Sequence, residues 1–215
     1  MNRKIFFAVV MSFFVFSSMV LAQYEDEPYV EGFVGGNFTS PSGYMKNDLV
    51  PDSLNATGGL GFIIGGGYYF RSNLILGLYF SMNNMGANDI DLNHRVFDFG
   101  IYTKYFIKDL SESSFSPYVK VSGGLAFSKL ITKVTSNGGV TFRELSYSPA
   151  LGVDVALGLH WKTNEYGALY FEGGYKTDLM DGVTGEFKGV DYPWLDNNNF
   201  LIIRAGVIFN IGPKE

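Results

Sequence analysis

The chain has 215 residues, a formal charge of −5 and no cysteine, which excludes a disulfide scaffold and argues against a nucleic-acid partner. Hydrophobic residues make up 47% and aromatics 17%, with 27 glycines, a composition that suits neither a helical bundle nor a disordered chain. Residues 1–22 read as a cleavable export leader. Arg3 and Lys4 precede the apolar run Ile5 to Phe16, and Val20-Leu21-Ala22 places cleavage before Gln23. The run is short for a membrane-spanning helix, and no uninterrupted apolar segment of about 18 residues follows it. Losing the leader takes the formal charge from −5 to −7. Residues 23–215 read as one exported domain with much apolar surface to hide.

The period of that surface is two. Val30, Val34 and Phe38 alternate with Glu31, Phe33 and Asn37. Leu60, Phe62, Ile64, Tyr68 and Phe70 are opposed mostly by glycines, and Leu74 to Met82 continue the pattern at even positions. Phe97, Phe99, Ile101 and Tyr105 face Asp98, Gly100, Tyr102 and Lys104, while Val119, Val121, Leu125 and Phe127 face Lys120, Ser122, Gly124 and Ser128. From Tyr147 to Trp161 every odd residue is apolar or aromatic and every even one small or polar. Leu169, Phe171 and Tyr175 oppose Glu172, Gly174 and Lys176; Leu201, Ile203, Val207, Phe209 and Ile211 oppose Arg204, Gly206 and Asn210. Strict alternation is a strand signature, since a helix would scatter both classes around its circumference.

Eight strands is an even number, as a barrel closed from hairpins requires. The connections alternate as well. Residues 39–57, 84–92, 132–146 and 179–198 tend to be long, 71–73 and 162–166 are short, and 108–115 is intermediate. Membrane barrels pair short periplasmic turns with longer outer loops in this way. A soluble sandwich would also alternate, but it would bury its bulky face and expose charge. Here the second face is glycine, alanine, serine and scattered charge, from which no soluble core can be built. Phe70, Tyr105, Phe115, Tyr118, Trp161 and Phe209 gather near the short turns, the place of a periplasmic aromatic girdle. The expected fold is all-β, an eight-stranded antiparallel transmembrane β-barrel in up-and-down order.

The pattern resembles the small eight-stranded outer-membrane barrels of the OmpA/OmpX type. Its most specific stretch is RAGVIFNI at 204–211, where Arg204, Gly206, Val207, Phe209 and Ile211 are similar to the signal read by the barrel-insertion machinery. Family members often stop on the terminal aromatic, whereas Gly212-Pro213-Lys214-Glu215 follow here. The resemblance implies an outer membrane of a Gram-negative bacterium, contact with its lipid and lipopolysaccharide, no cofactor, and no enzymatic activity. It also implies a role in envelope integrity or in surface interaction with an extracellular ligand through the loops. A narrow channel and a lipid A-modifying enzyme are the other classes that such barrels allow.

An eight-stranded interior is just wide enough for side chains to fill. The inward set holds Glu31, Asp98, Asp154, Glu172 and Asp178 against Lys104, Lys120, Lys176 and Arg204. Charges there must pair, because an isolated one is costly to bury. Strand adjacency suggests Arg204 with Glu172 and Glu31 as a central ion cluster. His160 and Asp154 share a face but lie six residues apart, about 20 Å along an extended strand. With His94 near the other end, no histidine-based catalytic set is expected. GGLGFIIGGG lacks the GK[ST] of a phosphate loop, and Asp181, Glu186, Asp191 and Asp196 do not follow a calcium-loop spacing.

Overall fold

A computed structural model describes residues 30–43, 56–71, 73–87, 92–108, 113–136, 139–146, 149–164, 166–179, 185–187, 190–192 and 198–211. The expected leader, residues 1–22, lies outside the described residues, as does most of 179–198 with Asp181 and Asp196. The strands are β1 (Val30–Gly43), β2 (Ala56–Arg71), β3 (Leu74–Ala87), β4 (Leu92–Phe106), β5 (Phe115–Ser136), β6 (Gly139–Ser146), β7 (Ala150–Lys162), β8 (Gly167–Leu179), β9 (Gly185–Phe187), β10 (Val190–Tyr192) and β11 (Asn198–Ile211). Eight of them close a barrel by antiparallel pairing of each strand with its neighbour in the chain. β11 returns to β1, with Val30 opposite Ile211 and Gly43 opposite Asn198. Closure leaves no sheet edge in the wall, so every strand meets a partner on both sides without water.

The side chains sort by parity. In β7 they alternate without fault from Ala150 to Trp161, inward ones buried and outward ones mostly exposed. Leu157, Leu151 and Phe99 stand more than half exposed on the outer wall, whereas Asp154, His160 and Lys104 are almost fully buried inside. This is the inverse of a soluble protein and identifies lipid as the solvent of the outer wall. Glycines admit the bulky lumen rings. A Cβ at Gly158 would meet the Tyr118 ring, and one at Gly77 would meet Tyr102.

Three expectations change in detail. The strands run further toward the outer end than apolar alternation alone indicates: β1 continues to Gly43, and β5 runs on to Ser136. There β6 pairs with its last eight residues, so 132–146 is a hairpin rather than an open loop. The polar sequence hid this because beyond the apolar band neither face of a strand meets lipid. At the start of β7, Pro149 is outside the strand, which begins at Ala150; a proline has no N–H for the ladder. Tyr118 is buried inside rather than in the girdle, since it shares parity with Lys120 and Ser122. Of the remaining girdle residues, Tyr105, Phe115, Trp161 and Phe209 are exposed near the short turns and Phe70 is half-buried, and Phe115 stacks on Trp161 at 5.6 Å.

Candidate functional site in the barrel lumen

The lumen holds four polar networks at successive heights, the lowest of them set within an aromatic base. At the periplasmic end, Phe33 meets Tyr102 and Tyr170 edge-on at 5.5 and 6.0 Å, and Phe106 packs on Tyr118 and His160 at 5.2 and 5.6 Å. Within this base Glu31 Oε1 accepts from Tyr102 (2.6 Å) and from Lys104 Nζ (2.7 Å). Lys104 Nζ also lies 4.9 Å from the Phe33 ring and 5.3 Å from that of Tyr102, so a charge taken out of water meets a carboxylate and aromatic faces.

The second network crosses mid-height. Arg204 reaches Asp154 at 2.5 Å through Nη2 and Glu172 at 3.2 Å through Nη1. Lys120 Nζ donates to both Glu172 oxygens, at 2.9 and 3.2 Å, and Tyr118 donates to Oε1 at 2.8 Å. Ser122 donates to Asp154 at 3.2 Å. Above it, Lys176 bridges Asp98 and Asp178, the latter at 2.8 Å, while Ser81 donates to Asp98 at 2.9 Å. Still higher, Asn83 Oδ1 accepts from Thr39 (2.8 Å) and Asn37 (3.2 Å).

The charged residues expected inside, Glu31, Asp98, Lys104, Lys120, Asp154, Glu172, Lys176, Asp178 and Arg204, are all buried in the lumen. Their grouping differs from the expected cluster in one respect. Arg204 meets Glu172 and Asp154, and Glu31 does not join them. Register is the reason: Arg204 is opposite Asn37 on β1, whereas Glu31 is opposite Asn210, six residues nearer the periplasm. Adjacency of strands placed Glu31 beside β11, but only the register sets its height, about 20 Å along the strand from Arg204. The tyrosines that complete the networks, Tyr102 and Tyr118, share parity with Lys104 and Lys120. Parity alone could have found both.

The histidines are far apart. His94 pairs in register with Leu130 of β5 and His160 with Ser116, 14 residues away and roughly 45 Å along that strand. Among the described residues no group of three or more His, Asp or Glu side chains is placed to hold a metal ion. Of the C-terminal stretch, Arg204 and Gly206 face the lumen and Phe209 faces outward, with Ile211 opposite Val30 where the barrel closes.

A family model described as outer membrane protein beta-barrel domain matches residues 8–202. The chain belongs to this family. It is a small eight-stranded outer-membrane barrel, and the outer membrane is its location. Among solved structures, Neisserial surface protein A is similar at 15% identity and a TM-score of 0.53, over 85% of this chain and 96% of that one. OprG from Pseudomonas aeruginosa is similar at 10% identity and a TM-score of 0.50, over 87% of this chain and 98% of that one. No curated protein matches the chain. At such identities the likeness concerns the barrel alone, so what this outer-membrane barrel does must be argued from its own residues.

Proposed function

We propose that this barrel is a non-enzymatic surface protein, exported by its leader, in which a sealed scaffold holds outer loops for contact with an extracellular ligand and braces the envelope. The observation that carries the reading is the lumen. Its charged side chains are engaged with one another or with tyrosine and serine hydroxyls at three successive heights, the lowest of them within a base of packed rings. Such a plug gives rigidity, and rigid scaffolds suit recognition by loops. Catalysis would need a base within reach of a nucleophile and open to substrate, whereas His160 is buried under Phe106.

The test is electrical and adhesive together. Purified barrel in planar bilayers should give no stepwise conductance, while cells lose surface binding when the connections between β1 and β2 and between β8 and β11 are shortened. Both variants should keep the heat-dependent gel shift of a folded barrel. Regular conductance steps would overturn the sealed scaffold in favour of a channel. Unaltered binding by loop-shortened barrels would overturn the loop reading, and a change in lipid A mass in cells lacking the protein would favour an enzyme.

A further inference from the structure

Charge is not balanced in the lumen. Among the described residues five carboxylates are buried there, Glu31, Asp98, Asp154, Glu172 and Asp178, against the four cations Lys104, Lys120, Lys176 and Arg204. Glu31 has Lys104, while Glu172 and Asp154 share Lys120 and Arg204. The surplus therefore sits in the outer network, where Lys176 serves both Asp98 and Asp178. A buried carboxylate without a countercharge of its own is costly, so this layer requires one more positive charge.

The unengaged oxygens locate it. Asp98 has both of its oxygens engaged, Oδ1 by Lys176 and Oδ2 by Ser81. Lys176 lies 2.8 Å from Oδ1 of Asp178, whose Oδ2 has no hydrogen-bond partner among the described residues. Arg204 and Ser122 both meet Oδ2 of Asp154 and leave its Oδ1 without one. Asp154 and Asp178 are almost fully buried. Asp154 is opposite Lys176 and Gly152 opposite Asp178, so the two acids are diagonal neighbours on the inner faces of β7 and β8. Diagonal neighbours stand about 7 Å apart at the backbone, within reach of their side chains. Gly152 permits the approach, because a Cβ there would lie 2.9 Å from Asp178 Oδ1 and 3.4 Å from Lys176 Cε. The Asp178 carboxylate is thus laid over β7, one inward place above Asp154.

We propose that Asp154 and Asp178 form a site for a single positive charge, a shared proton or an alkali cation, at the outer end of the plug. A proton on one carboxyl turns it into a donor to the free oxygen of the other, and an alkali ion between them takes an oxygen from each. Either partners both free oxygens and brings the outer network to neutrality. Two carboxylates are too few for calcium, and among the described residues no group of three or more acids or histidines is placed to hold a metal. The titratable and charged groups around the pair are Lys176 and Glu172 on β8, Arg204 on β11, Lys120 on β5, Tyr79 on β3, and Asp98 on β4 with His94 two inward places beyond it. β1 and β2 bring no charged residue above the level of Glu31 among the described residues.

The full chain, refolded in lipid vesicles, would be unfolded by urea with Trp161 fluorescence as the readout. One series varies pH in choline chloride, and the other replaces choline by sodium at fixed pH and ionic strength. A proton held only by the folded barrel makes stability fall as pH rises, because the folded state then binds more protons than the unfolded one. Relative to Asp178→Asn, the folding constant of the parent should drop about tenfold per pH unit over part of the range from about pH 5 to 9. An alkali ion would instead raise it about tenfold per decade of sodium once the site is filled. Asp178→Asn removes the surplus charge at nearly constant shape, so it should keep the heat-dependent gel shift. Asp154→Asn should lose the response as well, and His94→Gln should retain it. A response in the pH series assigns a proton, and one in the sodium series assigns an alkali ion. Equal behaviour of the parent and Asp178→Asn in both series would overturn the site. So would failure of Asp178→Asn to fold, since the carboxylate would then be needed in its charged form. Loss of the response in folded His94→Gln would place the charge on the imidazole and overturn the carboxyl pair.

Discussion

Among the described residues Arg204 is the one cation paired with Asp154, and replacing it by methionine removes that pair. Asp154 is left with the Ser122 hydroxyl at 3.2 Å, while Glu172 keeps both Lys120 contacts and the Tyr118 hydroxyl. The damage therefore concentrates on Asp154, a nearly fully buried carboxylate. Breaking a buried pair from one side typically costs about 3–5 kcal/mol, because a charge remains without compensation. At a denaturant slope of about 2 kcal/mol per molar urea, the unfolding midpoint in lipid vesicles should fall by about 2 M. Fluorescence of Trp161, on the outer wall, and the heat-dependent gel shift both follow the transition. Adding Asp154→Leu to Arg204→Met should restore most of the loss, since an apolar pair of similar volume is often neutral. Glu31→Gln combined with Arg204→Met should instead be additive within about 0.5 kcal/mol, because Glu31 answers to Lys104 and Tyr102. A midpoint unchanged by Arg204→Met, or strong coupling of Arg204 to Glu31, would refute this grouping.

Two further predictions concern the two faces of the wall. Gly158→Ala drives a methyl into the Tyr118 ring and should cost about 1–3 kcal/mol by overpacking. Gly173→Ala, where a Cβ meets nothing within 4 Å, should stay within about 0.5 kcal/mol by the same urea assay. Leu157→Arg, on the outer face of β7 and near mid-band, should lower stability in vesicles by about 2–4 kcal/mol. A neutral outcome there would mean that the outer wall does not meet hydrocarbon.

The barrel was legible in the sequence because lipid and lumen impose opposite demands on alternate residues. Asp154 and His160 stand in β7 among aliphatic residues, and only a strand between two solvents makes both sets acceptable at once. The same parity gave the inward direction of Lys104, Lys120 and Arg204, since an outward charge at mid-band would face hydrocarbon. Parity also puts Tyr118 in the lumen with Lys120 and Ser122, against a girdle place that rested only on its aromatic character near a turn. Parity is silent beyond the apolar band, where the ends of β1 and β5 and all of β6 carry no contrast between faces.

The sequence alone therefore determined the number of barrel strands, which face of each meets lipid, and the set of charges that the lumen must neutralise. These depend on local period and on desolvation, both of which act residue by residue. Tertiary structure decided who neutralises whom. Pairing partners depend on stagger between strands that meet only when β11 closes on β1, and stagger sets height without altering parity. So Glu31 and Glu172, alike in sequence as inward acids beside β11, end at different levels with different cations.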